Sequence, residues 1–218
     1  MYQVSNFMDN DDVKIIDEMG AFRVIEYQRD LSVTPSSAIT AYYSAQMNVK
    51  KRQLACNLAM APVTIQAGAM QWMLGNVNAT TGIKGVGDLF GKAVRGKVSG
   101  ESAIKPEYTG DGLLVLEPTY KYLILMNVAD WGGGVVLDDG LFLACESTLQ
   151  HKAVMRSNFS SAVAGGEGLF NLSLNGSGVF CIESSCPREE LIEVTLQNDV
   201  LKVDGNYAIA WSRSLEFT

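Results

Sequence analysis

The chain has 218 residues, with 24 acidic side chains, 17 basic side chains and one histidine, and its formal net charge is −7. A hydrophobic content of 47% is typical of a globular protein and excludes an intrinsically disordered chain. The acidic balance argues against generic nucleic-acid binding, because phosphate contacts require local positive charge. The single histidine excludes a metal cage built from several histidines.

Strand-like patterns dominate the chain from its first third onward. Residues 12–19 are a helical candidate, and three strand-length runs rich in branched and aromatic residues follow at 21–27, 39–45 and 53–60. The most hydrophobic window, residues 120–128, also has the length of a strand. Because such runs follow one another too closely for crossover helices, we expect mainly antiparallel sheets.

Lys50, Lys51 and Arg52 form a compact basic triplet between strand-like segments. One interpretation is a contact site for an anionic partner, since basic residues near aromatic side chains bind single-stranded nucleic acid. The interpretation that we favour is protection of a sheet edge, where charged side chains prevent aggregation. Both interpretations predict that the triplet is accessible.

A second basic stretch lies in the glycine-rich connector at residues 84–99, where 88–98 form the second helical candidate. We favour a packed connector with a solvated charged face. The alternative is that Lys92, Arg95 and Lys97 contact an acidic partner or an anionic lipid. A nucleotide-binding phosphate loop is excluded, because Ala93 stands where the loop requires a hydroxyl residue.

No residue constellation in the sequence indicates catalysis. His151 lies among strand-like residues, so we expect it on a sheet surface or at a subunit interface. Cys56, Cys145, Cys181 and Cys186 lack the spacing of a zinc site and are predicted to be buried, reduced packing residues. We therefore predict no catalytic, cofactor-binding or metal-binding residues, and no enzymatic activity.

The sequence offers no targeting or membrane-spanning pattern. Its first residues are acidic where a signal peptide carries basic residues, and no window approaches the apolar length of a transmembrane helix. From this pattern we predict a cytoplasmic protein without a membrane span.

Two dipeptides suited to positive φ predict hairpin turns. Asn175-Gly176 lies between strand-like residues 172–174 and 179–182, and Asp204-Gly205 lies between 200–203 and 207–211. We expect each pair of runs to form an antiparallel hairpin.

A turn-and-strand phrase recurs along the chain. The clearest copies are DDGLFLACESTL at 138–149 and DGNYAIAWSRSL at 204–215, and a weaker third copy ends near residue 73. This internal similarity predicts three β units, near 14–83, 100–158 and 162–218, packed into one compact body with the connector at 84–99.

Several short motifs occur in an order and spacing that resemble one family. They are AGAMQWM at 67–73, GDLF at 87–90, SGES at 99–102, GDG at 110–112, the phrase at 138–144, GEGL at 166–169 and the stretch 203–210. On these motifs the chain resembles bacterial members of the altered-inheritance-of-mitochondria twenty-four family. The stretch at 31–51 is longer and more polar than the resemblance leads us to expect.

The resemblance implies a triplicated antiparallel β fold, of sandwich or double-stranded β-helix-like units, similar to the trp RNA-binding attenuation protein and with one or two short helices. It also implies a homotrimer and offers no catalytic residues to carry over. Open strand edges agree with a closed assembly, because such edges are normally covered.

Two function classes follow, and a third is kept as an alternative. The first is a non-enzymatic β-scaffold or ligand-binding assembly of unknown specific role, with a further protein partner left open. The second is an RNA-binding ring by analogy of fold, although the acidic charge makes nucleic acid an improbable partner. The third is an enzyme of a type that the motifs do not reveal.

Overall fold

The computed structural model describes residues 2–80, 105–155, 170–203 and 207–216. Over these residues the protein is mostly β-structure, with every strand pairing antiparallel and a single α-helix, which confirms the predicted all-β class. The strands are β1 (Val13–Met19), β2 (Phe22–Tyr27), β3 (Arg52–Asn57), β4 (Val63–Ile65), β5 (Met70–Thr80), β6 (Glu107–Leu116), β7 (Tyr122–Asn127), β8 (Gly134–Leu137), β9 (Phe142–Glu146), β10 (Gln150–Met155), β11 (Phe170–Asn175), β12 (Val179–Ser184) and β13 (Ala210–Ser212). The helix α1 is Ala38–Gln46, and short 3-10 helices occur at Val128–Trp131 and Arg188–Glu190.

Nine strands form one sheet in the order β1-β2-β3-β6-β4-β9-β12-β7, with β5 paired to β6 outside this path. The long strand β6 has β5 along one edge, while β3 and β4 share its other edge. The sheet curls so that its terminal strands, β1 and β7, lie beside each other. The curled sheet encloses a fully apolar interior, which includes Phe22, Leu54, Ile65, Leu114 and Cys181.

A second sheet has four strands in the order β10-β11-β8-β13. Its inner face packs on the first sheet through a second core, to which β7, β9 and β12 contribute Ile124, Phe142 and Phe180. Leu137 on β8 and Leu174 on β11 complete this core from the other side. Two cores therefore hold the fold, one inside the curled sheet and one between the sheets.

One carboxylate joins the β1–β2 turn to β12. Glu146 accepts hydrogen bonds from the backbone nitrogens of Ala21, at 3.1 Å, and Val179, at 3.0 Å. The turn passes through Gly20 at φ +54°, where a Cβ would lie 2.3 Å from the Glu146 carboxylate. Glycine is therefore required there both by the backbone angle and by the close approach.

Two local predictions are wrong. Residues 12–19 form strand β1 instead of a helix, because their backbone pairs with β2 from Val13–Tyr27 to Met19–Phe22. Residues 39–45 lie in helix α1 instead of a strand. No described strand pairs with this segment, so its backbone groups bond locally, as in Ala41 N to Ser37 O at 2.9 Å. The predicted strands at 21–27 and 120–128 are confirmed as β2 and β7, and the strand predicted at 53–60 is confirmed as β3 up to Asn57, after which residues 58–60 form a turn.

The predicted hairpin around Asn175-Gly176 is also wrong. β11 pairs with β8 and β10, whereas β12 pairs with β7 and β9, so the two strands belong to different sheets. The chain crosses between the sheets through Gly176 and Gly178, both at positive φ. In the second predicted hairpin, residues 200–203 have no regular secondary structure, and the turn at Asp204-Gly205 lies outside the described residues.

The connector at 84–99 and the helix predicted at 88–98 lie outside the described residues. The division into three β units near 14–83, 100–158 and 162–218 stays a prediction.

Candidate functional site

The basic triplet lies at the root of the long connection between β2 and β3. We call this connection, residues 28–51, the arm, and we call the place where it joins the sheet, at Glu26, Asp30 and residues 50–52, its root. Arg52, the first residue of β3, is 2% exposed and pairs with the Glu26 carboxylate at 2.7 Å. Its guanidinium also donates to the backbone and side-chain oxygens of Asn48, at 3.1 and 2.9 Å, and stacks on the Tyr122 ring at 4.4 Å. Arg52 thus fixes both ends of the arm to the sheet.

The two lysines of the triplet face internal acids as well. Lys50 contacts the same Glu26 carboxylate at 3.2 Å. Lys51 pairs with Asp30 at 3.0 Å, and its ammonium lies 4.6 Å from the centre of the Tyr27 ring. Two carboxylates therefore offset two of the three positive charges.

The structure corrects the interpretation that this triplet protects a sheet edge. β3 lies between β2 and β6, so Arg52 begins an internal strand. The charged triplet lies where the chain returns from the arm into the sheet, and its ion pairs join the two ends of the arm. Contact of Lys50, Lys51 and Arg52 with an external anion stays a prediction.

The local electrostatics favour the ionised form of the root acids. Burial opposes ionisation of Glu26, but hydrogen bonds from Gln28 and Lys50 and the charge of Arg52 outweigh it, so the pKa of Glu26 lies below its ordinary value. Burial likewise opposes ionisation of Asp30, whose pKa is lowered by Ser32 and Lys51. The root is thus stable as an ion-pair network at neutral pH.

The tip of the arm has the opposite character. Residues 31–49 contain no charged side chain, and helix α1 within them has no buried residue. Ile39 is 72% exposed and Met47 is 77% exposed. Tyr42 and Tyr43, also exposed, contact each other edge to face with their ring centroids 5.4 Å apart. The tip is therefore an uncharged apolar surface presented to solvent.

Strand β5 is a second uncharged apolar surface. Among the described strands it pairs with β6 alone, so no described strand lies along its other edge. Met70 and Met73 are exposed, and Trp72 and Leu74 between and beside them are half-buried. A long open edge with apolar side chains is the type of strand on which another chain docks.

Besides these two surfaces, a segment with exposed apolar side chains lies near the end of the chain. Residues 191–203 have no regular secondary structure, although IEVTLQ at 192–197 alternates apolar and polar residues as a strand does. Ile192 is 91% exposed, and Val194, Val200 and Leu201 are exposed as well. Within the described part of the chain, no backbone hydrogen bond joins 192–203 to another segment.

A cleft of about 300 Å³ lies between the loops at 66–69, 117–119 and 140–143. Glu117 and Glu183 line it, and Lys121 pairs with Glu183 at 3.3 Å. Its lining includes no histidine or cysteine. This cleft therefore offers two carboxylates and no imidazole or thiol.

The thiols are placed as packing residues, as predicted. Cys56, Cys145 and Cys181 are buried, and Cys186 is half-buried; all four are free. Burial raises the pKa of Cys145 to about 12 and also raises the pKa of Cys56 and Cys181. Since the thiolate is the nucleophile, these three sulfurs are unreactive in the fold.

His151 lies on β10, at the surface of the second sheet, as predicted. Desolvation and the nearby charge of Lys105 lower its pKa, while Glu107 opposes the shift. No group of three or more potential metal ligands occurs among residues that the structure describes.

Lys92, Arg95 and Lys97 lie outside the described residues, so the structure does not place them beside the triplet. Sequence reasoning missed the arm tip and β5 as surfaces. One signal was present: the sequence has no acidic residue from 31 to 87, on a chain that is acidic elsewhere.

In the described ranges, no helix combines the length and the apolar character required to cross a bilayer.

The chain matches one family model and is similar to two streptococcal proteins. Residues 43–218 match the family described as Mitochondrial biogenesis AIM24. The chain is 32% identical over 163 residues to Uncharacterized protein M6_Spy0233 of Streptococcus pyogenes serotype M6; the match covers 71% of this chain and spans 63% of the length of that relative. It is also similar to the crystal structure of protein SPYM3_0169 from Streptococcus pyogenes, with a TM-score of 0.55 and 28% identity over 78% of this chain and 74% of that chain.

Proposed function

Since the chain belongs to the Mitochondrial biogenesis AIM24 family, we propose that it is a non-enzymatic β-scaffold that acts as an assembly of identical copies. The assembly is a homotrimer by the family resemblance, and its specific ligand or further partner is unknown. The cytoplasmic location stays a prediction from the sequence pattern.

The observation that carries this proposal is the unpaired segment at 191–203. It has the alternation of a strand, exposes Ile192, Val194 and Val200, and has no backbone partner in the described part of the chain. An exposed strand-like segment is normally paired, since its backbone groups and apolar side chains both gain from a neighbour. A second copy of the chain offers such a neighbour, because its β5 has no described strand along its outer edge.

The chemistry of the described residues supports a non-enzymatic role. The buried thiols have raised pKa values, and the cleft between the loops at 66–69 and 140–143 has no adjacent histidine or cysteine. A cysteine nucleophile reacts as its thiolate, and burial disfavours the thiolates of Cys145 and Cys181.

The oligomer is tested by sedimentation equilibrium at micromolar concentration. We expect a mass three times that of the 23.6 kDa chain. A monodisperse monomer would overturn the proposal. The ratio of absorbance at about 260 nm to that at 280 nm, with no excess at the shorter wavelength, checks that no nucleic acid accompanies the assembly.

A matched pair of variants tests the segment itself. Val194→Pro removes a backbone N–H that intermolecular strand pairing requires, whereas Val194→Ala retains it. Because Val194 is exposed and irregular in the chain, both variants should fold normally. We expect Val194→Pro to weaken association by about tenfold or more, and Val194→Ala to weaken it much less. Equal behaviour of the two variants would contradict strand pairing at 191–203.

A further inference from the structure

The helix at the tip of the arm does not obtain its stability from the chain around it. α1 has nine residues, no buried side chain and no side-chain hydrogen bond at its N-cap. Isolated helices of this length are marginal in water, because nucleation costs more than a few turns return. The exposed side chains Ile39, Tyr42 and Met47 are therefore suited to packing against a partner.

The charge pattern indicates which partner fits. The chain carries a net charge of −7, and copies of it repel each other wherever their acidic surfaces meet. Residues 31–87 contain no acidic side chain, and in their described part they form both the arm tip and β5. These two surfaces are where a second copy approaches without like-charge repulsion.

Side-chain chemistry matches the two surfaces to each other. The tip offers the rings of Tyr42 and Tyr43, already arranged edge to face at 5.4 Å. β5 offers the exposed thioethers of Met70 and Met73. Methionine sulfur packs favourably against aromatic rings, and methionine adapts its shape to an incoming surface.

The arm root and the start of β5 are also connected within one chain. The Tyr27 hydroxyl donates to Gln53 at 2.5 Å, and the Gln53 amide donates to Gln71 on β5 at 2.8 Å. This hydrogen-bond chain fixes the position of the arm root relative to β5. Because each copy carries both surfaces, the same contact repeats from one copy to the next and can close into a ring.

We propose that the arm tip, residues 31–49, of one copy packs on the exposed face of β5 of a second copy. This deepens the proposed function, because it names a contact of the assembly. Residues 31–42 precede the part of the chain that matches the family, so the contact includes a surface outside that match.

The first test compares two double variants by sedimentation velocity. Tyr42→Ser with Tyr43→Ser removes the rings of the tip, and Ile15→Ser with Ile16→Ser removes two exposed side chains of β1 as a matched control. We expect the tip variant to raise the dissociation constant about tenfold or more and the control to change it less than about twofold. Circular dichroism checks that both retain the parental β signal.

The second test locates the contact by cross-linking in a Cys186→Ser background, since the other three thiols are buried. Tyr43→Cys and an isotopically labelled Met73→Cys chain are mixed and treated with a short bismaleimide. We expect mixed cross-links between the two chains. Cross-links of each chain only with itself would overturn the proposed contact.

The outcomes separate this inference from the proposed function. A wild-type monomer defeats both. A wild-type oligomer that Val194→Pro weakens and the tip variant does not defeats this inference alone. If the tip variant associates normally but loses binding of the protein to phosphatidylcholine vesicles, the tip faces a membrane surface and the contact with β5 is wrong.

Discussion

The root and the tip of the arm belong to one connection between two strands, yet opposite forces act on them. At the root, Arg52 is buried among Glu26, Asn48 and Tyr122, and its removal would break the contacts that join these three residues. At the tip, Ile39 and Met47 touch solvent over most of their surface. The fold therefore holds the arm firmly where it leaves the sheet and does not hold its end.

The root is held by buried ion pairs, whereas the tip has exposed apolar side chains that no described residue covers. Buried ion pairs contribute little net stability compared with apolar packing, but breaking one is costly because the remaining charge stays desolvated. Exposed apolar side chains contribute little until a partner covers them. The root is thus sensitive to substitution in the single chain, and the tip is sensitive only in the assembly.

The largest expected effect is at the root. Arg52→Ala removes the buried guanidinium from Glu26, which retains its contacts with Lys50 and Gln28. We expect it to lower the free energy of unfolding by about 3 kcal/mol, the lower end of the cost of breaking a buried ion pair. The matched control is Arg23→Ala, which breaks the exposed pair with Glu18 and should cost about 0–1 kcal/mol. Urea denaturation followed by circular dichroism measures both. Equal losses for the two variants would mean that the root network does not hold the arm.

A smaller effect is expected from pH. The pKa of Glu26 is lowered in the folded protein relative to its ordinary value of 4.5, so its stabilising contribution is present above that value and is lost as the pH falls through the lowered pKa. Glu26→Gln lacks this titration. We expect its free energy of unfolding to depend less on pH than that of the wild type between about pH 5 and about pH 3. Parallel pH profiles would contradict the assignment.

The smallest effect is expected at the tip. Ile39→Ser and Met47→Ser replace exposed side chains, and at dilutions where the chain is monomeric each should change the free energy of unfolding by less than about 0.5 kcal/mol. Leu54→Ala, in the fully buried interior of the curled sheet, should cost about 2–5 kcal/mol in the same experiment. A large loss from either tip variant would show that α1 packs on its own chain.

Several features of the fold were predictable because they depend on local pattern. The run at 21–27 is rich in branched and aromatic residues, and it forms β2; the apolar window at 120–128 forms β7. The burial of Cys56, Cys145 and Cys181 followed from composition and spacing. The family resemblance from short glycine-rich motifs is confirmed over residues 43–218.

Other features depended on which strands meet. The hairpin expected at Asn175-Gly176 failed because a turn dipeptide is also compatible with a crossing between sheets, and only the partners of β11 and β12 decide between the two. The strand expected at 39–45 became helix α1 because no described strand lies beside it to accept its backbone bonds. At residues 39–45, the lack of a neighbouring strand among those described outweighed the strand propensity of the side chains.

Composition and periodicity were enough to give the all-β class, the net charge of −7 and the acid-free stretch at 31–87. The folding of the chain was needed to show that Lys50, Lys51 and Arg52 face internal acids, and that the same stretch yields two exposed apolar surfaces. The reason is physical: a charge is neutralised by whatever the fold brings within a few ångströms of it. In this chain, Glu26 at the end of β2 and Asp30 near the start of the arm lie within ion-pair distance of the triplet.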